Sequence, residues 1–153
     1  MFHRLSVNPA QFAAAKQVWQ GSAPLGAFER LAQETLDSDA LLHYRIEGGK
    51  DKAGHVRLTC RIEVKTRVAC QRCLGAIEHD VAASKVFYPA ESPERAEQLE
   101  RELAIEASED VEVIETGRML DLATLIEDEV LLGLPLIPMH AEGACSSPPA
   151  DLD

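Results

Sequence analysis

The stretch from Val56 to Cys70 constrains this chain more than any other. Val56, Leu58, Cys60, Ile62, Val64, Thr66, Val68 and Cys70 fall on one parity. His55, Arg57, Thr59, Arg61, Glu63, Lys65, Arg67 and Ala69 fall on the other. A period of two belongs to an extended strand, which sends alternate side chains to opposite faces. The first set predicts a core-facing surface and the second a solvent-facing one. Strands usually run about 3–10 residues, so the length predicts a bend, a bulge or two strands in sequence. A further strand is expected over 76–88, making a hairpin whose tip is Cys70-Gln71-Arg72-Cys73.

Flanking segments complete the outline. Leu42, Tyr44 and Ile46 alternate with polar neighbours and predict a preceding strand, with 48–54 as the turn. Asn8-Pro9-Ala10-Gln11 reads as a helix start, and Phe12, Ala15 and Trp19 recur at helical spacing up to a stop at Gly21. A second helix is expected over 26–36, with Phe28, Leu31, Ala32 and Thr35 on one face. Ser92-Pro93-Glu94 opens a third, and 111–116 alternates as a strand. A fourth helix, capped by Asp121, runs to about Leu132. Leu122, Leu125, Ile126 and Glu129 lie on one side of it, and Glu127 and Asp128 on another. Helices and strands in this order predict an α+β domain with an antiparallel β core, a long hairpin and flanking helices.

Size and charge narrow the function. At 153 residues, against about 150 per domain, the chain is expected to form one domain with its own core. Net charge is −11, which excludes a basic protein that coats duplex nucleic acid, because that binding depends on Lys and Arg. The charge is uneven: residues 1–90 carry 12 basic and 9 acidic side chains, whereas 91–129 carry 3 and 14. Two different surfaces are therefore expected. The longest apolar run, 130–139, holds ten residues and two prolines, where a spanning helix needs about 20. No signal-peptide core is legible near Met1, and four cysteines in a chain able to build a core suggest a reducing, cytoplasmic setting.

Three constellations bear on chemistry. Cys70 and Cys73 have the spacing with which two thiolates grip one side of a tetrahedral metal. His140 and Cys145 are the candidate completion, giving a structural zinc site of three thiolates and one imidazole. Beside it stands the reading of free thiols, with Cys70 packed as a small apolar residue. Redox use would need a depressed thiol pKa. Cys60, ten strand residues from Cys70, belongs to the core. Second, Arg57, Arg61, Lys65 and Arg67 form a cationic stripe that can follow a phosphate backbone, although a solvated outer face has the same appearance. Third, the acidic run 91–129 suits either a solubilising surface or contact with a basic protein. Scattered histidines and the lack of a nucleophile elbow or phosphate loop give an enzyme little footing, and no small-molecule substrate is expected.

Cys70-Gln71-Arg72-Cys73-Leu74, followed by Glu127-Asp128-Glu129-Val130-Leu131-Leu132 and Leu134-Pro135-Leu136-Ile137-Pro138-Met139-His140 with Cys145, resembles the YceD family. The resemblance spans roughly residues 20–147. It implies one domain over 1–147 with a disordered tail at 148–153, and a cytoplasmic, non-enzymatic factor needed for large-subunit ribosomal RNA to accumulate. On that reading Arg57, Arg61, Lys65 and Arg67 face RNA, and Glu127, Asp128 and Glu129 contact a protein partner such as a ribosomal protein. The alternative is a protein-only module, an acidic chaperone for a basic ribosomal protein, with a structural zinc site.

Overall fold

In a computed structural model, residues 5–103 and 110–140 are described. A five-stranded sheet dominates them, in the order β2 (Val18–Pro24), β3 (Leu41–Lys50), β4 (Val56–Ala69), β5 (Ala76–Ala90) and β6 (Val111–Glu115). The first four strands are antiparallel neighbours, and β6 joins β5 in parallel. Two short strands, β1 (Ser6–Val7) and β7 (Leu120–Asp121), pair separately. The helices are α1 (Pro9–Ala14), α2 (Glu29–Glu34), α3 (Pro93–Leu103) and α4 (Leu122–Gly133). The architecture is the α+β class expected. Among the described residues, the parallel β6 is the one addition to an otherwise antiparallel core.

β4 is a single unbroken strand. Its pairing with β5 runs from Leu58↔Phe87 to Ala69↔Ala76 without a skipped residue, so the expected bulge or division is absent from this stretch. Continuous pairing explains this, because β5 supplies partners from Leu58 to Ala69 and β3 from Val56 to Glu63. The apolar parity is buried from Leu58 to Cys70, as the alternation requires.

The first helix is shorter than its periodicity suggests. Asn8 caps it through a bond from Gln11 N to its Oδ1 at 3.1 Å. At its other end Lys16 adopts a left-handed φ of +51°. Lys16 N–H donates to Ala13 O, and Gln17 N–H donates to Phe12 O. These paired bonds are a Schellman termination, usually made with glycine. Trp19 is thereby freed to enter β2, where its ring lies 4.4 Å from that of Tyr44.

The core fills the face under α1, α2 and α4. Phe12, Phe28, Leu31, Leu42, Ile46, Leu58, Phe87, Leu122, Ile126 and Val130 are all at most 2% exposed. Gly48 is required where α1 crosses β3, since a Cβ there would lie 2.7 Å from Phe12 Cδ2 and 2.9 Å from Ala13 Cα. Tyr88 and Ala90 belong instead to a smaller cluster with Leu99 of α3. Phe87 and Tyr88 are neighbours on a strand and point to opposite faces. α3 therefore covers one end of the outer face, where His55 on the β3–β4 turn bonds Glu102 at 3.1 Å and Asp51 at 3.2 Å.

Candidate functional site

The hairpin between β4 and β5 ends in a tight turn. Leu74 N–H donates to Cys70 O and Cys70 N–H donates to Gly75 O, both at 2.8 Å, with Leu74 at a positive φ of 63°. Segment 134–140 leaves α4 and crosses this tip. Gln71 N–H donates to Pro138 O at 2.7 Å, and Arg72 Nη2 donates to Met139 Sδ at 3.8 Å. Cys73 Sγ and His140 Nδ1 thus come within 3.4 Å. Sγ of Cys70, Sγ of Cys73 and a ring nitrogen of His140 all lie within 4.8 Å of one another. Three of the four metal ligands expected from the sequence converge. Cys145 lies outside the described residues, as does the tail 148–153.

The surroundings of these atoms are specific. Cys70 Sγ accepts N–H bonds from Arg72 at 3.4 Å and His140 at 3.5 Å. Burial pushes the Cys70 thiol up, but backbone donors from Cys73, His140 and Arg72 outweigh it and hold it at about 5. Donors placed this way favour the thiolate, the form that ligates metals and attacks disulfides. Cys70 is fully buried and Cys73 is 6% exposed, which favours the first use. On the other side of His140, Nε2 lies 3.1 Å from Ala76 O. A carbonyl only accepts, so Nε2 bears the hydrogen, and in the neutral ring Nδ1 presents a lone pair to the cysteines. Cys60 sits apart in the core, its thiol raised to about 12 by burial and nearby Glu129.

Register determines the outer face. Arg57, Arg61, Lys65 and Arg67 all lie on the outward parity of β4, but their neighbours differ. Lys65 faces Asp80 and Arg67 faces Glu78 across the β4–β5 pair. Arg67 also lies 3.9 Å from Asp37. Arg61, by contrast, faces Ser84 on β5 and Arg45 on β3. Arg57 faces Gly49. Between these rows lies a trough of about 550 Å³, walled by His43, Arg45, Arg61, Glu63, Ala82 and Ser84. The small side chains of Ala82 and Ser84 leave it open on the β5 side. Arg45 was not singled out in the sequence, because only the cross-strand register brings it to Arg61.

The acidic helix departs from expectation. Glu127 and Glu129 are 5% and 8% exposed, so the expected partner-facing triad turns largely inward. Glu127 accepts Arg30 N at 3.0 Å and Arg30 Nη2 at 3.0 Å, capping α2, whose own N-cap position is Phe28. Asp128 binds the same guanidinium at 2.6 Å and remains half exposed. Glu129 lies 3.5 Å from Lys85, and burial raises its carboxyl despite that cation. Two of the three carboxylates thus serve the fold, and of the triad only Asp128 is available to a partner.

Comparison with known proteins adds the decisive observation. The profile of the family described as "Large ribosomal RNA subunit accumulation protein YceD" matches residues 58–152, which include β4 from Leu58 onward, the tip and α4. The chain belongs to the YceD family. A YceD protein bearing the same description in Haemophilus influenzae is 26% identical over 145 residues, covering 92% of this chain and 78% of that one. No solved structure matches. The YceD name denotes a factor in large-subunit ribosomal RNA accumulation and is not that of an enzyme family. Among the described residues, no helix is long and apolar enough to cross a membrane.

Proposed function

We propose that this chain acts in the cytoplasm as a non-catalytic factor that supports large-subunit ribosomal RNA by holding its backbone against the outer face of the sheet. The family description supports the pathway. The opposition of Arg45 and Arg61 supports the contact. Like charges directly opposite on neighbouring strands are destabilising, and here they flank an open trough in a chain of net charge −11. Glu47 already lies 3.5 Å from Arg45 Nη2, so a phosphate between the two guanidinium groups removes the repulsion that remains and gains charge-assisted bonds. Ser84 adds a hydroxyl beside Arg61, and Arg57 extends the track along β4. Lys65 and Arg67 sit opposite carboxylates and contribute less. The test is binding of the full chain to large-subunit RNA fragments. Arg45→Glu with Arg61→Glu is expected to abolish it with the melting curve retained; unchanged affinity would remove the reading.

A second reading, contact with a protein, draws on a different surface. Leu132, Leu136, Ile137 and Met139 are each at least 50% exposed, as is Leu74 at the adjoining tip. Exposed apolar side chains concentrated at one end of the sheet suit a protein partner. Copurification that survives nuclease favours this reading, whereas loss on nuclease treatment favours the RNA one.

A further inference from the structure

We infer that Cys70, Cys73 and His140 hold a zinc ion that clamps segment 134–140 onto the tip of the β4–β5 hairpin. The three donor atoms lie within 4.8 Å of one another and come from two segments far apart in sequence. Two thiolates and an imidazole supply three of the four donors that structural zinc takes, a borderline-soft ion bound through Sγ and ring nitrogen. The surrounding bonds match what such a centre needs. His140 Nε2 is engaged by Ala76 O, which orients the ring and leaves Nδ1 for the metal. Backbone N–H groups of Arg72 and His140 point at Cys70 Sγ, offsetting thiolate charge that would otherwise be buried.

Alternative uses of the three side chains fit less well. A disulfide between Cys70 and Cys73 would leave the oriented imidazole nitrogen facing a sulfur that no longer carries charge. A thiol exchanger needs an exposed attacking sulfur, and Cys70 has no exposed surface. The ion would anchor segment 134–140, whose Leu136 is 98% exposed and adds no packing to hold it. Outside the clamp, Gln71 N–H to Pro138 O is its one backbone bond to the tip among the described residues.

The test uses the full chain, made in a reducing cytosol and purified without chelator. Elemental analysis is expected to find close to one zinc per chain, and Cys70→Ser with Cys73→Ser to lose it, while Cys60→Ala keeps it. Should the double variant fail to fold, wild-type protein reconstituted with cobalt(II) is expected to show the intense visible bands of a tetrahedral thiolate site, absent from His140→Ala. Hydrogen exchange then reads the clamp itself: stripping the metal with chelator should accelerate exchange at the Gln71 amide. Metal-free wild-type protein that neither takes up zinc nor gives the cobalt bands, a Cys70–Cys73 disulfide in the reduced preparation, or unchanged Gln71 exchange on stripping would each overturn the proposal.

Discussion

Glu127 of α4 caps α2 through Arg30, 97 residues earlier in the chain: its Oε2 accepts the Arg30 N–H at 3.0 Å while its Oε1 takes the Arg30 guanidinium. The carboxylate is buried on one side and bonded on the other, so it fixes the approach of α2 to α4. Truncation leaves the first turn of α2 without an acceptor. Glu127→Ala is expected to lower stability by about 1–2 kcal/mol, the usual effect of removing a helix cap. Asp128→Asn, at the exposed end of the same guanidinium, should change it by less than ~1 kcal/mol. Urea midpoints decide, and equal effects from the two variants would contradict the cap.

On the outer face, position along β4 sets the outcome. Arg61→Glu is expected to weaken RNA binding more than Lys65→Glu, because Lys65 already faces Asp80 and Arg61 faces Arg45. For every phosphate of a single strand that a variant no longer neutralises, the plot of log affinity against log salt should also flatten by roughly 0.7. Filter binding across a salt series measures both. Equal effects at 61 and 65 would mean that the whole stripe, not the trough, attracts the backbone.

Acid should loosen α3 from the β3–β4 turn. Burial raises the Asp51 carboxyl, but bonds from the His55 amide, the His55 ring and the Tyr88 hydroxyl outweigh it and bring it below 3.8. Glu102 is brought below 4.5 chiefly by its hydrogen bond with His55, with burial opposing and Arg95 assisting. Depressed carboxyls contribute stability that is complete above their unfolded values and disappears as pH falls through the lower folded ones. Stability is therefore expected to hold down to about pH 5 and decline below it. Glu102→Gln should flatten that decline. An acid limb identical to wild type would show that the contact carries no linkage.

Gly48 and Gly49 form a matched pair. Gly48→Ala drives a methyl against Phe12 and the α1 backbone and should cost about 1–3 kcal/mol. Gly49→Ala meets nothing within 4 Å and should be nearly neutral. Thermal melts of the two variants provide the check. A cost at both positions would indicate backbone demands unrelated to the crossing of α1.

Local patterns were readable where one residue type determined the outcome. The alternation of β4, the Asp121 cap of α4 and the Asn8 cap of α1 all follow from neighbours in sequence. His140 could be nominated as a partner for the CxxC from donor chemistry alone. What escaped depended on distant partners. Trp19 continued a helical spacing that Lys16 interrupts by entering the left-handed region, where glycine is the usual signal. Glu127 and Glu129 resembled a solvated charge run because their cationic partners, Arg30 and Lys85, arrive from other elements. Arg45 sat on an ordinary half-polar strand until pairing set it against Arg61.

The unbroken pairing of β4 with β5 makes one stiff spar, and it carries both proposed sites. Nine residues separate Arg61 from Cys70, roughly 30 Å of extended chain, so an anion in the trough is beyond direct electrostatic reach of an ion at the thiols under physiological screening. Stripping zinc would release the strap at one end while the anion seat stayed intact at the other. The two proposed duties can therefore be lost one at a time, and each can be assigned its own consequence in the cell.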